Sequence, residues 1–217
     1  MTIKNIKIFG ERNSGTTYLE QLLKKNLQDV NIFSSYYKGG TGWKHGFPKI
    51  ELFNNLNDVL FIFIIRDFDS WIKSMFINPY HYKKPNNMHE FITNKLVIDE
   101  NRKDHDVNIY EYEKQNIIDL RYSKIESYLN FYKNVNNAII INLNYLQDNY
   151  TCFINFLNEK YKLKIMNSIQ PISKHTKDAN INNINREYNL VIPKDIKKNI
   201  EIEEFINNLQ QNYYKNL

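Results

Sequence analysis

The turn Gly10-Glu-Arg-Asn-Ser-Gly15-Thr16-Thr17 contains residue types that bind phosphate or sulfate groups. Its two glycines have the spacing of a phosphate-binding loop, G-x-x-x-x-G. Glycines allow a tight turn whose backbone N–H groups point inward, and a helix that starts there adds the positive end of its dipole. Ser14, Thr16 and Thr17 add hydroxyl donors. The sequence therefore predicts an anion site at this turn.

Thr16 stands where nucleotide hydrolases and kinases with such a loop carry a lysine. That lysine acts on the phosphates of a magnesium-bound nucleotide. Its absence argues against ATP or GTP chemistry. A small P-loop nucleotide kinase is kept as an alternative, with Asp67 as the acid that would hold Mg²⁺.

Three apolar segments predict the strands that would position the loop: residues 3–9, Val59–Ile65 and residues 138–141. A run that is apolar on both faces, such as Val59–Ile65, is typical of a central parallel strand covered by helices. The order strand, tight turn, helix opens a βαβ unit. We therefore predict an α/β fold, with a central parallel sheet flanked by helices in a P-loop-type three-layer α/β/α sandwich.

Apolar residues at helical spacing predict four helices. These are a helix with Leu19, Leu22, Leu23 and Leu27 on one face, and helices around residues 72–76, 152–161 and 196–209. Asp69 or Ser70 is expected to cap the second helix, and Cys152 to be a core thiol in the third. Residues 78–117 have the least regular pattern and are expected to form an acceptor-side lid or insert.

The chain has 217 residues, a net charge of +5 and a pI of about 9.0. This length predicts a single domain over residues 1–217, and the charge suits an anionic ligand. A basic nucleic-acid-binding module is a second alternative, although the lysines are spread along the chain. A polar N-terminus, short apolar runs and a single cysteine predict a soluble cytoplasmic protein without a membrane partner.

The segment Asn13-Ser-Gly-Thr-Thr-Tyr18 resembles the 5′-phosphosulfate loop of sulfotransferases, usually written K/R-S-G-T-T-W/L. Members of that family have a P-loop-like fold, take 3′-phosphoadenosine-5′-phosphosulfate (PAPS) as donor and need no metal. The resemblance implies that Tyr18 lies against the adenine and that Arg12 replaces the loop cation, because Asn13 holds its position. By the same resemblance, the backbone around Ser14 to Thr17 binds the 5′-phosphosulfate, and Arg12 reaches the bridging oxygen or the sulfuryl group as a catalytic cation. The predicted cofactor-binding residues of this loop are Arg12, Asn13, Ser14, Gly15, Thr16, Thr17 and Tyr18.

The same family binds the 3′-phosphate through an arginine that ends a central strand and a serine eight residues later. Here Arg66 follows the strand Val59–Ile65, and Ser74 lies eight residues further on. The resemblance therefore assigns Arg66 and Ser74 to the 3′-phosphate. A guanidinium can contact phosphate through two charge-assisted hydrogen bonds. Trp71 is interpreted as a packing residue.

The segment Gly42-Trp-Lys-His-Gly-Phe-Pro48 lies between these two anchors and is similar to the K-T-H-L-P segment of cytosolic sulfotransferases. The resemblance implies that His45 is the general base and that Lys44 contacts the sulfuryl group. Glu11 is the alternative base, since other branches of the family use a glutamate. The expected reaction moves a sulfuryl group from PAPS to a hydroxyl or amine of a small molecule, glycan or peptide, and leaves 3′-phosphoadenosine-5′-phosphate (PAP).

Overall fold

The computed structural model describes residues 2–34, 42–53, 55–99, 115–173, 192–193, 196 and 198–213. The strands are β1 (Asn5–Gly10), β2 (Leu27–Gln28), β3 (Asn31–Phe33), β4 (Val59–Ile65), β5 (Ala138–Asn142) and β6 (Lys164–Ile165). A four-stranded parallel sheet has the order β3-β1-β4-β5. The short strands β2 and β6 form a separate antiparallel pair.

Helices cover both faces of the parallel sheet. They are α1 (Thr16–Asn26), α2 (Phe68–Ile77), α3 (Met88–Thr93), α4 (Ile117–Asn134), α5 (Leu143–Asp148), α6 (Tyr150–Tyr161) and α7 (Ile200–Tyr213), with a 3₁₀ turn at Ile50–Leu52. Successive residues of a strand point to opposite faces. In β4, Phe61 and Phe63 join the cluster with α2, α3, α4 and α7, whereas Ile62 and Ile64 join the cluster with α1, α5 and α6. The predicted α/β/α sandwich is thus confirmed.

The pairing of β1 with β4 positions the candidate site. The two strands run parallel, with Gly10 opposite Ile64. Their carboxyl ends therefore lie side by side at one edge of the sheet, where the chain enters the loop before α1 and the turn before α2. This is the edge at which open parallel sheets bind ligands.

Two local expectations about helix ends are wrong. Helix α2 is capped by Asp67, whose Oδ1 accepts a 2.8 Å hydrogen bond from the Ser70 backbone N–H, so that neither Asp69 nor Ser70 is the cap. Helix α1 ends at Asn26, and Leu27 begins β2. The reason is that β2 pairs with β6, which the helical spacing of the leucines does not indicate.

Cys152 is exposed and is not the core thiol that its spacing suggested. The buried face of α6 is formed by Phe153, Ile154, Phe156, Leu157 and Tyr161, and Cys152 lies outside it. Helix α7 begins at Ile200, so Ile196 precedes it. Residues 78–117 include α3, but residues 100–114 lie outside the described part, and the role of this segment as a lid stays a prediction.

Replacing Gly10 with alanine should destabilise the fold. A methyl group there would lie 2.6 Å from the Ile64 carbonyl oxygen and 2.6 Å from Ser14 Oγ. The carbonyl belongs to the paired strand and has little freedom to move. We expect Gly10→Ala to lower the free energy of unfolding by about 1–3 kcal/mol, as in an overpacked core, measured by urea denaturation.

Gly46→Ala is the matched control, because its added methyl group would lie 3.3 Å from the nearest atom, the Trp43 carbonyl oxygen. Gly46→Ala should lower the free energy of unfolding by less than Gly10→Ala does. Equal losses for the two variants would show that crowding against β4 is not the cause.

Candidate anion-binding site

The loop between β1 and α1 turns through two residues in the left-handed backbone region, Asn13 (φ 62°) and Gly15 (φ 95°). Gly15 is the N-cap of α1 and provides no side-chain cap. In the part of the chain that the structure describes, the N–H groups of Thr16 and Thr17 meet no acceptor. The start of α1 therefore presents unsatisfied donors and the positive end of its dipole, which together favour an anion.

Three predicted ligand residues instead hold the loop in place. Ser14 is buried, and its Oγ donates to the Glu11 carbonyl oxygen at 2.7 Å. Asn13 Nδ2 donates to the carbonyl oxygens of Ser74 and Asn78, each at 3.2 Å, at the end of α2. Tyr18 is 3% exposed and packs in the cluster between the sheet, α1, α5 and α6. The side chains of Ser14, Asn13 and Tyr18 thus contact protein, and any ligand contact there would fall to the backbone.

Arg12 is fixed by aromatic rings. Its guanidinium carbon lies 4.8 Å from the ring centroid of Trp43 and 4.6 Å from that of Tyr80. Arg12 Nη2 also donates to His81 Nε2, and the Arg12 carbonyl oxygen accepts from Trp71 Nε1 at 3.0 Å. Cation–π contacts with two rings fix the orientation of the guanidinium plane and do not neutralise its positive charge.

The structure brings His45 and Lys44 to the start of the loop. The Lys44 carbonyl oxygen accepts from the Gly10 N–H at 2.8 Å, and His45 Nδ1 lies 2.7 Å from the Gly10 carbonyl oxygen. A carbonyl can only accept, so Nδ1 carries the proton and Nε2 has the lone pair. Burial, followed by the charge of Arg12, holds the pKa of His45 well below 6.5. His45 is therefore neutral near pH 7, in the tautomer whose Nε2 can take a proton.

Arg66 leaves the end of β4 beside this loop. Its Nη1 donates to the Asn13 carbonyl oxygen at 3.3 Å. Its Nε is buried without an acceptor, and no acid of the described residues pairs with this guanidinium. Burial lowers the pKa of Arg66, although the negative charge of neighbouring Asp67 raises it. Ser74, the other residue assigned to the 3′-phosphate, lies in α2 close to Asn13, and its hydroxyl finds no partner among the described residues.

A buried ion pair that the sequence did not predict lies behind the loop. Glu11, 2% exposed, accepts at Oε2 a 2.7 Å hydrogen bond from Nη1 of Arg121, whose side chain is 0% exposed. Arg121 Nη2 donates to the Arg66 carbonyl oxygen at 2.8 Å and lies 3.4 Å from Glu203 Oε1 of α7. Lys124, one turn later on α4, is also buried. The sequence feature that could have indicated this ion pair is the presence of two basic residues, at positions 121 and 124, among the residues that form the buried face of α4.

The buried acid and the buried lysine have shifted proton affinities. Burial raises the pKa of Glu11 to about 7, against the lowering influence of Arg121 and Lys124. Burial likewise lowers the pKa of Lys124 to about 8, although the Glu11 charge raises it. Perturbed pKa values of this kind gather at functional sites as well as in structural ion pairs. Glu11 Oε2 is engaged by Arg121 and Glu11 Oε1 is buried without a partner, whereas the Nε2 lone pair of His45 meets no donor among the described residues.

Asp67, the acid that a nucleotide kinase would use for Mg²⁺, has both carboxylate oxygens engaged. Oδ1 accepts from the Ser70 N–H and Oδ2 from Asn144 Nδ2, each at 2.8 Å. Hydrogen bonds to these groups lower the pKa of Asp67, against the effect of burial. Within the described ranges, no group of three or more His, Cys, Asp and Glu side chains could hold a metal ion.

A cavity of about 330 Å³ lies between α3 and the start of α4. Its lining residues are His89, Ile92, Thr93, Asn116, Ile118, Asp119, Pro193 and Ile196. Most of them are close to or within the segment 78–117, the expected acceptor side. The cavity combines apolar walls with a few polar groups, which is typical of small-molecule sites.

No family model, curated protein or solved structure that was compared with this chain matches it. No helix within the described ranges has the length and apolar character needed to cross a membrane. The geometry around the loop therefore carries the functional inference.

The buried neutral state of His45 should make stability depend on pH. Its pKa lies well below 6.5 in the fold, so the unfolded chain takes up the proton first as the pH falls through about 6.5. The contribution of His45 to the free energy of unfolding should then fall by up to about 1.4 kcal/mol per pH unit.

The His45→Asn variant is the control, since its amide nitrogen can replace Nδ1 as the donor to Gly10 but does not titrate. Glu11 acts in the opposite direction as the pH falls, because its pKa is raised. The quantity to compare is therefore the difference in the free energy of unfolding between wild type and variant. It is measured by urea denaturation between pH 7.5 and 5, a range of about two to three units around the pKa of a free histidine. A constant difference would contradict a buried neutral His45.

Proposed function

We propose that this protein is a sulfotransferase that moves a sulfuryl group from PAPS to a hydroxyl or amine acceptor. The observation that carries the proposal is Arg66, a half-buried cation whose Nη1 lies 3.3 Å from the Asn13 carbonyl oxygen of the loop and which forms no salt bridge with an acid of the described residues, although the charge of Asp67 acts on it. Burying a charged group whose Nε has no acceptor is costly. Such a guanidinium fits a site that an anionic ligand completes.

The loop and Arg66 together fit a ligand with two phosphate groups. The unsatisfied N–H groups of Thr16 and Thr17 at the start of α1 suit the 5′-phosphosulfate. Arg66, supported by the Ser74 hydroxyl, suits the 3′-phosphate. PAPS carries anionic groups at both the 5′ and the 3′ position of its ribose, whereas ATP and GTP carry all of theirs at the 5′ position. The engaged carboxylate of Asp67 also disfavours the kinase alternative.

The side chains around the loop suit an in-line displacement. The acceptor oxygen would attack sulfur while the bond between sulfur and the bridging oxygen breaks, and PAP would leave with the electron pair. The N-terminus of α1 and the Arg12 guanidinium would stabilise the charge on the leaving oxygen. Nε2 of His45 would take the acceptor's proton, because Nδ1 is committed to Gly10. Lys44 is proposed as an electrostatic partner of the sulfuryl group.

The proposed function is tested by binding of PAP and AMP, which differ only in the 3′-phosphate. We expect PAP to raise the melting temperature without added metal, with about 2.7 kcal/mol of stabilisation at one hundred times its Kd. Arg66→Ala should weaken PAP binding by about 1.5–3 kcal/mol, the value of a charge-assisted hydrogen bond, and leave AMP binding nearly unchanged. Isothermal titration calorimetry measures both ligands.

Lys133→Ala removes one positive charge from the exposed end of α4 and should leave both affinities at the wild-type values. If millimolar PAP produces no thermal shift, the proposal is wrong. If Arg66→Ala weakens AMP and PAP equally, Arg66 does not bind the 3′-phosphate.

The choice of base is tested by turnover at saturating PAPS. His45→Asn keeps a donor for the Gly10 carbonyl oxygen but removes the basic nitrogen. It should lower kcat by about 10²–10⁴-fold, the usual contribution of a positioned base, and leave PAP affinity nearly unchanged. Glu11→Gln tests the alternative. If Glu11→Gln abolishes turnover at saturating PAPS without changing the affinity for PAP, and His45→Asn does not lower turnover, Glu11 is the base.

A further inference from the structure

Arg121 connects the two segments that would bind the two ends of the ligand. Its Nη1 donates to Glu11, the first residue after β1, and its Nη2 donates to the carbonyl oxygen of Arg66, the first residue after β4. A further contact is with Trp71, whose ring centroid lies 4.5 Å from the guanidinium carbon and whose Nε1 donates to the Arg12 carbonyl oxygen. One side chain thus contacts the Glu11 carboxylate, the Arg66 backbone and the Trp71 ring around the loop.

These contacts leave the proposed ligand-binding groups unused. Arg121 holds Arg66 by its backbone carbonyl, so the Arg66 guanidinium still points toward the Asn13 carbonyl oxygen. It holds the loop through the Glu11 carboxylate, so the N–H groups at the start of α1 are not involved. The Arg121 side chain is 0% exposed and does not reach solvent. It can influence a ligand only through the positions of other groups.

An arginine is suited to this task because its guanidinium is planar and donates in fixed directions. Two acceptors that bind the two ends of one fork are held at a fixed separation, which a lysine ammonium on a flexible stem does not impose. Buried ion pairs contribute little net stability compared with apolar residues of similar size. Fold stability alone therefore does not explain why a buried arginine stands between the ends of β1 and β4.

We propose that Arg121 is a positioning residue that sets the separation between the phosphate loop and the Arg66 guanidinium, so that a single ligand with two phosphate groups can engage both. This proposal rests on the proposed function. It predicts that the preference for PAP over AMP depends on Arg121, although Arg121 contacts neither phosphate.

The test measures the ratio of the Kd for AMP to the Kd for PAP by calorimetry. Arg121→Met alone would leave Glu11 buried without its counter-charge, so the principal variant is Glu11→Gln with Arg121→Met, which removes both charges. We expect the wild type to prefer PAP by about 10- to 100-fold, as one charge-assisted contact allows. The double variant should lose most of this preference, and adding Arg66→Ala to it should cause little further loss.

If Arg121 had only a structural role, its replacement would lower the melting temperature but leave the ratio of the two Kd values unchanged. A double variant that is folded and keeps the wild-type ratio overturns the proposal. Arg121→Lys retains the positive charge beside Glu11 but lacks the forked guanidinium. Its ratio of the Kd for AMP to the Kd for PAP should lie between the ratios of the wild type and the double variant. If the double variant does not fold, Arg121→Lys carries the test, and a wild-type ratio in it overturns the proposal. A wild type that does not prefer PAP would overturn the proposed function itself.

Discussion

The backbone hydrogen bonds between β1 and β4 bring the ends of two distant chain segments together. Gly10 lies opposite Ile64, and the absence of a side chain at Gly10 allows the loop to pass close to the Ile64 carbonyl oxygen. The same glycine pairs with Lys44 and His45 through its N–H and carbonyl groups. The loop, the Arg66 end of β4 and the His45 segment thus all take their positions from one parallel strand pair.

The second constraint is electrostatic, because several basic side chains lie close together in buried or half-buried positions. Each is held by a different means. Arg12 lies between two aromatic rings, Arg121 pairs with Glu11, and His45 stays neutral. Arg66 is the exception, because no acid of the described residues forms a salt bridge with it, although the charge of neighbouring Asp67 raises its pKa. A guanidinium without a salt-bridge partner can form charge-assisted hydrogen bonds with an anion.

The main elements could be predicted from the sequence because their signals are local. Residues 59–65 are apolar on both faces, and this identified a buried central strand that the structure confirms. The glycine spacing likewise identified the turn at which α1 begins. The cap of α2 was misplaced because Asp67, Asp69 and Ser70 are all suitable capping residues within one turn, and only the path of the chain after β4 selects Asp67.

The parts of the site that depend on long-range contacts were beyond the sequence signals. Asn13 was assigned to the ligand, yet its amide binds carbonyl groups 61 and 65 residues further along the chain. Arg121 lies on α4, which is not among the four helices that the sequence predicts, and the buried position of its basic side chain is explained only by the contact with Glu11. Cys152 differs from its buried neighbours only by its angle around α6, a distinction that spacing alone does not resolve.

The ion pair between Arg121 and Glu11 joins residues that are 110 positions apart. Closing so long a stretch of chain has a high entropic cost, and contacts of this kind form slowly during folding. On a ribosome, Glu11 would leave the exit tunnel well before the partner that neutralises it is synthesised. The nascent chain therefore keeps the Glu11 carboxylate in water until α4 has been synthesised, and the contact between Glu11 and Arg121 can form only after that.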